Sequence, residues 1–89
     1  MPIKEVDIVV KDDDSPEGLK ARIAALLPNF AFELTGITQV GTFDWRCRFT
    51  ARDGLQLGFR KVVEMQNLLA AEFDIRLVER VAGPATQAA

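Results

Sequence analysis

Residues 42–50, Thr-Phe-Asp-Trp-Arg-Cys-Arg-Phe-Thr, alternate without a fault. Phe43, Trp45, Cys47 and Phe49 take every second position, and Asp44, Arg46, Arg48 and Thr50 take the positions between and after them. Side chains on a strand point in turn to opposite faces. The stretch therefore predicts a strand with one apolar face and one ionic face. Each aromatic side chain buries about 150–250 Å², so Phe43, Trp45 and Phe49 are expected to anchor the core.

The other segments fall into order around this strand. Residues 3–10 read as a first strand, with Val6, Ile8 and Val10 on one face and Glu5, Asp7 and Val9 on the other. Ser15-Pro16-Glu17 is a helix start: serine caps the free amides, proline is pre-set for the first turn, and the acids before and within that turn suit the helix dipole. Leu19, Ile23, Leu26 and Leu27 line one side of a helix that Pro28 stops. Phe30, Phe32 and Leu34 open a second inward-facing strand, Gly36 marks a bulge, and Ile37 resumes the buried set. Val40-Gly41 turns the chain into the central strand, which pairs with the second strand as a hairpin.

Asp53-Gly54 leaves two readings open. It is either a hairpin turn before Leu55-Gln56-Leu57-Gly58-Phe59 or the start of a long helix. Both readings agree on a helix over about 61–73. In the long-helix reading Leu55, Phe59, Val62, Val63, Leu69, Ala70 and Phe73 form the core stripe, and Leu57, Met65 and Leu68 form a second apolar stripe beside it. Residues 75–81 are the last strand, with Ile75, Leu77 and Val81 on one face and Arg76, Val78 and Arg80 on the other.

The order strand, helix, strand, strand, helix, strand predicts an α+β fold, the ferredoxin-like βαββαβ two-layer sandwich. Its antiparallel sheet has the order 4-1-3-2, with two helices on one face and the other face open. The reading is one domain over 1–82 and a flexible tail over 83–89. Eighty-nine residues leave room for one core.

Composition and parity exclude several functions. A net charge of −2 gives no general attraction to nucleic acid. RNA-recognition domains of this shape stack bases on open-face aromatics, whereas the aromatics here share the helix-side parity. No apolar run approaches the ~18 residues of a membrane span, and the charged N-terminus has no secretory core, so a cytoplasmic protein is expected. Cys47 is the one cysteine and the chain has no histidine or tyrosine, which leaves no pairing for a disulfide and no neighbouring histidine base for a thiol nucleophile. Acylphosphatases share the arrangement and cradle phosphate in the loop after the first strand. Here that loop is Lys11-Asp12-Asp13-Asp14, whose charge repels a phosphate. Asp12–Asp14 also lacks the spacing of a calcium loop and reads as an acidic lead-in to the helix. No enzyme, cofactor or metal site is expected.

The open face carries the remaining signal. Its rows are expected to read Arg76/Arg80, Glu5/Asp7, Arg46/Arg48 and Glu33, alternating in sign. A face laced with both signs can be self-complementary about a two-fold axis. The expected function is a non-enzymatic binding or assembly module with a protein partner or a second copy of itself, as a homodimer. Its contact residues are expected to be Asp44, Arg46, Arg48, Arg76 and Arg80 on the sheet, or Leu57, Met65 and Leu68 on the second helix. The alternative is a small-molecule-sensing regulatory domain with its ligand at a subunit interface.

Overall fold

The computed structural model describes residues 3–52 and 58–81. The elements run β1 (Glu5–Lys11), α1 (Pro16–Leu26), β2 (Phe32–Gln39), β3 (Asp44–Ala51), α2 (Phe59–Ala70) and β4 (Asp74–Arg80). The sheet order is β2-β3-β1-β4, antiparallel throughout. This is the ferredoxin-like α+β sandwich that the segment order predicts. The fork at Asp53-Gly54, Leu57 and the 83–89 tail lie outside the described residues.

Each element forms for a local reason. Ser15 Oγ accepts a hydrogen bond from the Gly18 amide at 3.1 Å, and Pro16 begins α1. Leu19 and Ile23 of α1, with Leu27 at its C-terminal cap, turn one side of the helix into the core. Asn29 then takes a left-handed φ of 56°, which reverses the chain toward β2; asparagine tolerates that conformation better than most residues. In β3 the alternation holds from Trp45 on: Trp45, Cys47, Phe49 and Ala51 are buried. Trp45 also donates its indole N–H to the Asp12 carbonyl at 3.1 Å, which ties the loop after β1 to the sheet.

The core lies between the helices and one face of the sheet. Phe32, Phe49, Ile8, Leu19, Ile23, Met65 and Leu69 are its largest fully buried members.

Four expectations need correction. Phe43 does not anchor the core; it is 49% exposed in the turn before β3, beside the polar Lys11, Asp12 and Asp13 of the loop after β1. Met65 is not on a second stripe but fully buried. The stripe that α2 uses is Val62, Met65 and Leu69, continued by Phe73, while Phe59 and Val63 are exposed. A helix buries one limited arc of its surface; Leu69 sits at the middle of this arc with Met65 at one end, and Phe59 and Val63 lie beyond the other end, past Val62. The helix also ends at Ala70, not at 73, with the Phe73 amide still bonded to the Leu69 carbonyl at 2.8 Å.

The fourth correction is in β4. Val9 pairs with Leu77 but Val10 pairs with Ile75, so Arg76 is an extra residue. A bulge puts two residues opposite one and shifts the parity beyond it. Ile75 and Val78 therefore pack toward the core, while Leu77 and Glu79 lie on the open side, Leu77 with 44% exposure. The bulge expected at Gly36 is present: the β2–β3 register skips Thr35 between Leu34 and Gly36. Among the described residues no helix is long and apolar enough to cross a membrane.

Candidate docking face

The open face is built from the outward positions of four strands. In β1 these are Glu5, Asp7 and Val9, and in β3 they are Arg46, Arg48 and Thr50, with Asp7 opposite Arg48 and Val9 opposite Arg46. Glu79 lies opposite Asp7 on the other side. Gly36 lies opposite Arg48 and Thr38 opposite Arg46.

Asp7 is the centre of this face. It is 3% exposed although no helix covers it. Arg48 covers it with a two-pronged contact, Nε to Oδ1 at 2.8 Å and Nη2 to Oδ2 at 3.0 Å. Arg46 adds Nη1 to Oδ2 at 3.1 Å and extends the same nitrogen to Glu79 at 3.2 Å. Like charges directly opposite each other on a sheet repel, so Arg46 is what allows Asp7 and Glu79 to share a row. The Arg48 hydrogen bond holds the Asp7 carboxyl below its usual range; burial opposes the shift and Arg46 reinforces it. Both arginines are in turn held more firmly protonated, foremost by their hydrogen bonds to Asp7.

Around this hub the polar groups satisfy one another. Thr35 and Thr50 share a hydroxyl hydrogen bond at 2.8 Å, and Thr50 donates to Glu5 at 3.3 Å. Gly36 has no side chain to set against Arg48, and a shallow cleft of about 260 Å³ opens there, lined by Asp7, Gly36, Thr38, Arg46 and Arg48. No buried side-chain nitrogen or oxygen among the described residues lacks a partner.

The structure brings together only part of the expected contact set. Arg46 and Arg48 meet on Asp7. Asp44 stays at the far end of β3, opposite Lys11. Arg76 is the bulged residue and bonds to Asp74 at 3.3 Å. Arg80 is on the other side of the sheet, paired with Val6 and lining a cleft with Phe59, Val62 and Val78. The β4 row is therefore acidic and apolar, through Asp74, Leu77 and Glu79, where a basic row was expected. The bulge that turned Leu77 outward turned Arg80 inward. On α2, Met65 is in the core and Leu68 is 38% exposed. Sequence reasoning missed Leu77 and Glu79, whose placement depends on the bulge. It placed Asp7 on this face but did not single it out; an isolated aspartate inside a β-branched strand was the available signal.

The acidic loop has its own partner. Arg22 of α1 reaches Asp12 at 2.6 Å, Asp14 at 3.3 Å and Glu72 at 3.5 Å, and lies over the Phe73 ring at 4.7 Å. Arg22 thus ties α1 to the acidic loop after β1 and to the turn after α2. Cys47 is fully buried beneath the sheet, and burial pushes its thiol up to about 12, with a smaller push from the Asp7 charge.

No protein-family model matches the chain, and no curated protein matches it. A solved structure is similar: the TT0538 protein from Thermus thermophilus, with a TM-score of 0.79 and 21% identity over 90% of this chain and 20% of that one. The chain thus spans about a fifth of TT0538, and the likeness is one of fold: a ferredoxin-like α+β sandwich.

Proposed function

We propose that this chain is a non-enzymatic protein-contact module that works as a homodimer, two copies meeting through the open face of the sheet. The observation that carries the reading is the burial of Asp7 on a sheet face that no helix among the described residues covers. Drying a carboxylate is costly unless it is paired and hydrogen-bonded. Here Arg46 and Arg48 supply those partners within one copy, so a second surface can close over Asp7 without stranding its charge.

Size and charge support the same face. A specific interface removes about 800 Å² from each partner. Four strands about 4.8 Å apart and seven residues long present a footprint of the order of 450 Å² before side-chain relief is counted. On α2 the large exposed apolar groups are Phe59, Val63 and Leu68, and Met65, which would join Leu68 in a stripe, is buried in the core. Both outer strands carry bulges, and bulged edges resist strand-to-strand association. A two-fold axis along β1 would set the arginine row of one copy over the acidic β4 row of the other, with Leu77 of each copy flanking the axis.

Leu77→Glu tests this without touching the Asp7 hub. Size exclusion with light scattering is expected to give the mass of two copies for the natural chain and of one for the variant, with an unchanged circular dichroism spectrum. A natural chain that runs as a monomer at high concentration, or a variant that keeps the doubled mass, would refute the reading.

A further inference from the structure

We draw no further inference here: the strongest candidate, the apolar cleft between the N-terminal end of α2 and the edge strand β4, lined by Phe59, Val62, Val78 and Arg80, carries none because Phe59 is its one strongly exposed apolar group and nothing in the structure shows what covers it.

Discussion

Asp7 is 3% exposed, and both of its carboxylate oxygens accept hydrogen bonds from guanidinium groups. Asp7→Asn keeps the shape and removes the charge. The loss is expected to be about 1–3 kcal/mol, smaller than for a fully enclosed ion pair because both arginines still reach water. The pH dependence has a definite sign. The folded-state carboxyl titrates below its ordinary value of 3.8. Above that value Asp7 is ionised in both states and its contribution is complete; as pH falls further the unfolded chain takes up the proton first, and the contribution is lost through the folded-state pKa. Urea midpoints of the natural chain and the variant should therefore differ at pH 7 and converge as pH falls below about 4. Equal midpoints at pH 7 would contradict the hub. The alternation in residues 5–9 makes the outward position of Asp7 legible. Its burial is not legible, because it requires Arg48 on one neighbouring strand, Arg46 on the diagonal and Glu79 on the far side.

The two helices begin differently. α1 has a side-chain cap in Ser15. α2 begins at Gly58, with φ −90° and ψ 172° and no side-chain cap hydrogen bond. Ser15→Ala is expected to cost about 1 kcal/mol and to lower the melting midpoint by about 4–8 °C. Gly58→Asp should do the reverse. Its backbone is extended, a Cβ there meets nothing within 4 Å, and an acid suits the N-terminal end of the dipole. The gain is expected to be about 0.5–1 kcal/mol, from capping and from a less flexible unfolded chain. A lower midpoint for Gly58→Asp would show that α2 begins elsewhere. Caps are local, so Ser15-Pro16 was readable in advance. Bulges are local only when a residue marks them. Gly36 marked the one in β2, whereas the extra residue in β4 is Arg76, which carries no such mark.

Across the whole molecule the sheet centre should open only when the fold does. Cys47 is fully buried on β3 and its thiol is pushed up to about 12. A thiol-specific reagent at pH 8 should therefore react at a rate set by global unfolding. The opening free energy from that rate should match the urea value; rapid labelling in native buffer would mean that β3 does not hold the centre. That position was legible, as were the element order and the two-layer architecture, because they follow from alternation, helical spacing and caps, all of which act between near neighbours. By itself the sequence determined which segments become strands and helices and that one sheet face is greasy and the other ionic. Only the tertiary structure decided which arc of α2 is buried, that Phe43 stands in solvent, and that Leu77 and Arg80 exchange sides. Those outcomes depend on how the helices pack on the sheet and how β4 registers on β1, and contacts between residues far apart in sequence set both.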